Sequence, residues 1–206
     1  MVKKQFSPIL TPPHLQDVNR WCGLRIGLFG GSFNPPHAGH LHIAKLAQIQ
    51  FGLDFVWWLI TPQNPLKKNT GGYEQRFSAV ENMIADHPRQ MATHLERDLA
   101  TEYSYETVLG LKNTYQKTDF LWICGMDNAH IFHQWDQWQA FLDIMPITFI
   151  ARPPAQYLVK NCPIKQIKIP QYGCAFGQKT DLKTPGIYWL NGSKMLNISS
   201  SKIRNN

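Results

Sequence analysis

The segment Gly30-Gly31-Ser32-Phe33-Asn34-Pro35-Pro36-His37-Ala38-Gly39-His40-Leu41 places two imidazoles three positions apart at the entry to a helix. Residues at that spacing share one side of a helical turn. The start of a helix also carries unsatisfied N–H groups and a partial positive charge, so the ligand it suits is a phosphate. Gly30 and Gly31 let the backbone approach such a ligand closely, Ser32 adds a hydroxyl, and Gly39 lets substrate lie against the helix start. Neither G-x-G-x-x-G nor G-x-x-x-x-G-K-[ST] occurs in the segment. Two other readings stand beside this one. Two surface histidines after a glycine turn need have no ligand, and His42 adds a third imidazole for a metal, although no cysteine or carboxylate lies beside it.

Near the other end, Ile198-Ser199-Ser200-Ser201-Lys202-Ile203-Arg204 offers hydroxyls that can cap a helix and touch phosphate, followed by a guanidinium with several donors for polyphosphate. A serine-rich cap with a basic residue is common by itself. Between these ends lie further candidates: Lys67 and Lys68 in a polar loop, Ser104, Gly125 with Asp127, and the pair Trp135 and Trp138. Paired lysines in a loop are usually a solvated turn, Asp127 could cap the next helix, and one tryptophan of a pair three apart could simply belong to the core.

The elements that must position these groups follow from periodicity. Apolar runs at 24–29 and 55–60 read as buried strands. Between them, residues 40–51 read as a helix, with Pro35 and Pro36 before it and Gly52 just past its end. Phe77, Val80, Met83 and Ile84 predict a helix over 73–87. A strand over 91–95, a helix over 105–115, a strand over 120–124, helical segments between 128 and 142 and a strand over 147–151 follow. Beyond residue 152 proline and glycine are more frequent, with short strand candidates at 164–169 and 187–190. This alternation predicts an α/β chain with a parallel sheet covered by helices on both faces.

Composition sets the outer limits. The chain has 206 residues, enough for one well-buried domain, with 43% hydrophobic and 17% charged residues. A net charge of +7 favours an anionic partner. A nucleic-acid-binding module is the rival from another class, motivated by that charge and by seven Trp and seven Tyr. Against it, the lysines and arginines are dispersed, with no run longer than two. No apolar stretch reaches transmembrane length, so no membrane association is expected. Residues 1–22 contain Lys3, Lys4, Pro8, Pro12 and Pro13 without an apolar core, and read as a loose extension preceding a domain over 23–206. Cys22, Cys124, Cys162 and Cys174 form no C-x-x-C pair, which fits reduced thiols and a cytoplasmic protein.

The first segment resembles the G-x-F-[DN]-P-x-H-x-G-H signature of the HxGH nucleotidylyltransferase superfamily, and the serine segment is similar to its I-S-S-T-x-I-R motif. Three further stretches resemble the nicotinate-nucleotide adenylyltransferases: Thr61-Pro62-Gln63-Asn64-Pro65-Leu66-Lys67-Lys68, Glu96-Arg97 with Tyr103-Ser104-Tyr105-Glu106-Thr107, and Gly125-Met126-Asp127 followed by Trp135 and Trp138. The resemblance implies a Rossmann-like doubly wound parallel sheet with a small C-terminal subdomain from about residue 152. It implies an enzyme that joins nicotinate mononucleotide to ATP, the 5′-phosphate attacking the α-phosphorus in line, to give deamido-NAD and pyrophosphate.

By the same resemblance, His37, His40 and Arg204 are the catalytic residues, with His40 the most critical. ATP would meet Gly30, Gly31, Ser32, Phe33, His37, Gly39 and His40, together with Lys67, Gly125, Asp127, Ser199, Ser200 and Arg204. The mononucleotide would meet Gly31, Ser32, Ser104, Trp135 and Arg152. Mg²⁺ would arrive with ATP, with no protein metal site. Related enzymes using nicotinamide mononucleotide or phosphopantetheine share the twin-motif frame, so these acceptors stay open, and oligomeric state is not addressed. Asn34 and Ser201 depart from the commoner Asp and Thr while keeping hydrogen-bonding capacity. The chain stops two residues after Arg204, where relatives carry a further helix, which suggests a truncated form with impaired catalysis.

Overall fold

The computed structural model describes residues 12–62, 71–151, 162–177 and 180–191. Seven strands form one sheet: β1 (Arg25–Gly31), β2 (Phe55–Ile60), β3 (Gln90–Thr93), β4 (Asp119–Gly125), β5 (Ile147–Ile150), β6 (Gln171–Ala175) and β7 (Ile187–Asn191). Their order is β3-β2-β1-β4-β5-β7-β6, and every neighbouring pair is parallel. The helices are α1 (Ala38–Phe51), α2 (Tyr73–Ile84), α3 (Leu95–Asp98), α4 (Ser104–Thr114) and α5 (Trp138–Ile144).

The unbroken apolar runs of the central strands are explained by burial on both faces. In β2, Trp57 and Leu59 pack into one layer with Val108 and Leu111 of α4 and Phe141 and Leu142 of α5. Val56, Trp58 and Ile60 point the other way, into a layer with Ile43, Ala44 and Ala47 of α1 and Phe77 and Val80 of α2. The fold is therefore an α/β doubly wound sheet. From β1 the chain winds outward through β2 to β3, then returns to place β4 on the other side of β1. That reversal opens a crevice at the carboxyl ends of β1 and β4, where ligands of such sheets bind.

Several elements differ in detail from the sequence expectations. The strand foreseen at 164–169 does not form: Pro163–Lys165 is a 3₁₀ turn and the strand is Gln171–Ala175. Pro163 favours a turn start, and Ile164, fully buried, is used as a core contact instead. The segment 171–175 has a weak strand pattern because it is the edge strand and needs only backbone pairing with β7. The helical stretch after β4 is broken into 3₁₀ turns at Met126–His130 and Phe132–Gln134 before α5 begins. The second helix ends at Ile84, short of His87.

From residue 12, the segment expected to be loose is packed. Leu15 is 0% and Trp21 1% exposed. Trp21 meets Trp57 edge-on at 4.9 Å and Phe55 at 5.4 Å. Thr118 Oγ1 donates to the Trp21 carbonyl at 2.8 Å and the Tyr115 hydroxyl donates to that of Leu15. The prolines restrict the backbone without preventing one aliphatic and one aromatic anchor, Leu15 and Trp21, from reaching the core. No described helix is long and apolar enough to cross a membrane.

Candidate active site

β1 delivers the glycine turn to the crevice. The amide of Thr61, just beyond β2, donates to the Gly31 carbonyl at 3.1 Å and extends the β1–β2 pairing past Ile60. Phe33 then takes a left-handed φ of 44°, costly for a residue with a Cβ, and the fold holds it there by burying its ring. That ring lies 5.4 Å from Phe29, 5.0 Å from Trp58 and 5.2 Å from His40. The side chain of Phe33 is thus an anchor, and only its backbone is placed to meet a ligand.

Packing by itself calls for glycine at these positions. A Cβ on Gly30 would lie 2.7 Å from the Trp122 indole of β4, and one on Gly31 would lie 3.1 Å from the Phe33 ring. The sequence argument assigned both glycines to phosphate approach. The tertiary structure shows that aromatic side chains already occupy the space beside them.

His37 caps α1 in an unusual way. Its Nδ1 accepts from the Gly39 amide at 3.1 Å, while the amide of His37 donates to Nδ1 of His40 at 3.2 Å. This is the reciprocal arrangement of a capping box, with two imidazoles in place of the usual hydroxyl and carboxylate. An Nδ1 that accepts carries no proton, so each neutral ring has its hydrogen on Nε2. The two rings lie face to face, with centroids 3.8 Å apart and 31° between planes. The helix start and a pair of Nε2–H donors therefore belong to one rigid unit.

On the other side of the crevice β4 ends at Gly125, buried and paired with Ile150. Asp127 follows, exposed in the first 3₁₀ turn. It lies inside that turn, whose N-cap position is taken by Gly125. Trp135 is half-buried, 4.8 Å from Phe132 and edge-on to Trp122 at 6.1 Å. Trp122 thereby connects the Gly30 turn to Trp135. Trp138, also half-buried, packs on Phe132, so both tryptophans contribute to the core margin. Ser104 is the first residue of α4 and half-buried. Thr107, fully buried, bonds Thr101 Oγ1 at 2.7 Å and the Tyr103 carbonyl at 3.3 Å, which fixes that helix start. Lys67, Arg152, Ser199, Ser200 and Arg204 lie outside the described residues.

Four further residues lie near the same edge: Glu96, which the family resemblance had included without a role, and Tyr73, His94 and Arg76, which were not singled out from sequence. Glu96 is buried, and that burial lifts its carboxyl to about 7, with a Thr61 side-chain hydrogen bond acting in the opposite direction. The Tyr73 hydroxyl lies 2.7 Å from Nδ1 of His94, whose ring stacks on Phe77 at 3.7 Å. Burial pushes Tyr73 up to about 12 and holds His94 below its usual value. Arg76 is buried as well. A signal for Arg76 was available: it falls between Tyr73 and Val80 on the stripe that packs α2 on the sheet, a position the pattern reserves for apolar residues. Among the described residues no group of three His, Cys, Asp or Glu could hold a metal ion.

A cytidylyltransferase-like family model matches residues 28–206. A "probable nicotinate-nucleotide adenylyltransferase" of Bradyrhizobium sp. is 37% identical over 188 residues, covering 88% of this chain and 96% of the relative. The chain belongs to the nicotinate-nucleotide adenylyltransferase family. A member of this family from Ruegeria pomeroyi is 36% identical over 187 residues, covering 88% and 86%. Among solved structures, a Plasmodium falciparum nicotinic acid mononucleotide adenylyltransferase superposes with a TM-score of 0.64 at 17% identity, covering 88% of this chain and 83% of that one. That likeness speaks for the fold, a Rossmann-like sheet. Family membership makes the protein a nucleotidyltransferase.

Proposed function

We propose that the enzyme joins nicotinate mononucleotide to ATP by direct in-line attack of the 5′-phosphate on the α-phosphorus, releasing pyrophosphate and deamido-NAD for NAD biosynthesis. The observation that carries this reading is the His37–His40 cap at the reversal of the sheet, which puts two imidazoles protonated on Nε2 at a helix N-terminus, with Nε2 of His37 buried and His40 half-buried. A reaction of this kind needs no covalent intermediate. Positioning and stabilisation of developing negative charge suffice, and preorganised donors supply both.

In this reading His37 and His40 bind the ATP phosphates, with His40 serving the charge that develops on the leaving pyrophosphate. The backbone of Gly30, Gly31, Ser32 and Phe33 lines the phosphate turn, and Gly39 leaves room for substrate at the helix start. Gly125 and Asp127 meet the nucleoside of ATP. Ser199, Ser200, Arg204 and Lys67 complete the polyphosphate site, while Trp135, Ser104 and Arg152 hold the mononucleotide. Magnesium enters with ATP as part of the substrate, since the triphosphate oxygens themselves provide its ligands. We assign the reaction to the cytoplasm, which supplies ATP and keeps four free cysteines reduced.

The decisive experiment is pyrophosphate release from ATP against a panel of nicotinate mononucleotide, nicotinamide mononucleotide and phosphopantetheine. Turnover with nicotinate mononucleotide supports the reading, and turnover only with another acceptor replaces it. RNA binding that weakens steeply with salt, without any pyrophosphate release, would instead favour a nucleic-acid-binding module.

A further inference from the structure

Arg76 is 3% exposed, and its guanidinium bonds four backbone carbonyls from three separate segments. Nη1 donates to Ser32 at 2.7 Å and to Thr61 at 2.9 Å, Nη2 donates to Pro62 at 3.0 Å, and Nε donates to Gly71 at 2.9 Å. Ser32 belongs to the turn after β1, Thr61 and Pro62 to the exit from β2, and Gly71 to the entry into α2. The charge has no carboxylate partner: among the described residues the ion pairs are those of Arg97. The Tyr73 ring, 5.6 Å from the guanidinium carbon, covers one face.

Burying a cation without a counter-charge is expensive, and carbonyl dipoles offset the cost only when several point at it. A core position on α2 could be filled by leucine at no such cost. What leucine cannot do is tie three chain segments together. A planar fork with five donors in fixed directions can, and a lysine ammonium, a single point charge, cannot reach all four carbonyls.

We propose that Arg76 is a positioning residue for polyphosphate binding, which locks the Ser32 turn against the end of β2 and polarises its peptide toward the ligand. The polarisation follows from connectivity. The Ser32 carbonyl shares its peptide unit with the Phe33 amide, and a cation on the oxygen strengthens the N–H on the other side as a donor. The buried ring and left-handed backbone of Phe33 fix the direction of that amide. One guanidinium thus sets both the place and the strength of donors in the turn, and leaves a net positive charge behind it. The proposal rests on ATP as the adenylyl donor and is independent of which mononucleotide accepts.

The test uses Arg76→Lys and Arg76→Gln in the full chain, with folding checked by circular dichroism and thermal melting. Dissociation constants for ATP, inorganic pyrophosphate and nicotinate mononucleotide are measured separately by calorimetry, well below each variant's Tm. A merely structural arginine would lower Tm and leave the affinities of the folded protein unchanged. We expect ATP and pyrophosphate to bind both variants at least about tenfold more weakly, with the mononucleotide changed less than threefold and no rescue by lysine. Pyrophosphate affinity within threefold of the parent in folded Arg76→Lys overturns the proposal, as does an equal loss for the mononucleotide. If neither variant folds, amide exchange in the parent protein decides: pyrophosphate should slow exchange at the Phe33 amide, and unchanged exchange there rejects the role. Because these readouts omit the acceptor, a failed acceptor panel would overturn the proposed function and leave the assignment of Arg76 standing.

Discussion

The amide of His37 donates to Nδ1 of His40 at 3.2 Å, and Nδ1 of His37 accepts from the Gly39 amide in return, so each imidazole does two jobs on its two nitrogens. Nδ1 builds the helix start and Nε2 carries the proton, which on His40 is the donor proposed for phosphate. The two jobs can be separated by substitution. In His40→Asn the amide oxygen takes the place of Nδ1 and keeps the cap, whereas His40→Ala loses cap and donor together. We expect both variants to lower kcat by on the order of 10²-fold, the effect of deleting one preorganised donor. Only the alanine variant should also lose roughly 1 kcal/mol of stability. Pyrophosphate release and thermal melting check the pair, and near-normal turnover in folded His40→Asn would falsify the role of Nε2.

Gly30→Ala tests the contact between the phosphate turn and β4. The new Cβ would sit 2.7 Å from Cζ2 of Trp122, an indole 1% exposed in the core, so neither side can yield cheaply. Overpacking of this kind costs roughly 1–3 kcal/mol. Urea denaturation should show that loss. Because Trp122 also supports Trp135 edge-on, the mononucleotide KM should rise together with the loss of stability. A variant as stable as the parent would mean the turn relaxes without moving the indole.

Glu96 gives the protein a predictable pH dependence. Its carboxyl, ordinarily at 4.5, is lifted to about 7 by burial, so folding favours the protonated form. The favourable contribution is complete below pH 4.5 and is lost as the pH rises through about 7. The span corresponds to about 3 kcal/mol. Glu96→Gln keeps a partner for Thr61 and removes the titration. Unfolding free energies measured from pH 5 to pH 8 should therefore fall with pH in the parent, fall less in the variant, and leave the variant the more stable at pH 8. Parallel curves would sink the assignment.

The acceptor preference is expected to favour nicotinate over nicotinamide mononucleotide by at least about tenfold in kcat/KM. A carboxylate only accepts hydrogen bonds, while an amide also presents N–H groups that would oppose backbone donors. An unsatisfied buried donor costs roughly 1–3 kcal/mol, and about 1.4 kcal/mol is already tenfold. Competition between the two mononucleotides at limiting concentration yields the ratio directly. Equal use would point to a site that reads the ribose phosphate and ignores the ring substituent.

The strand–turn–helix around His37 and His40 was legible because every signal in it is local. An apolar run makes β1, the two histidines lie within one helical turn, and Gly52 at φ 59° stops α1 where expected. The run at 55–60 matches β2 to the residue for the same reason: a strand buried on both faces announces itself by unbroken hydrophobicity.

What the sequence left undecided depends on partners distant along the chain. Which strand lies beside β1 is settled by helices packing on two faces, so the crevice between β1 and β4 exists only in the assembled sheet. The insertion of β7 between β5 and β6 is likewise invisible to periodicity. Trp122 stands more than ninety positions from Gly30, and no local pattern says that the indole occupies the space a Cβ would need. Arg76 is the clearest case. Periodicity marks its position as buried, but a buried guanidinium is tolerable only where Ser32, Thr61, Pro62 and Gly71 turn their carbonyls toward it, and that convergence of three segments is a property of the tertiary structure alone.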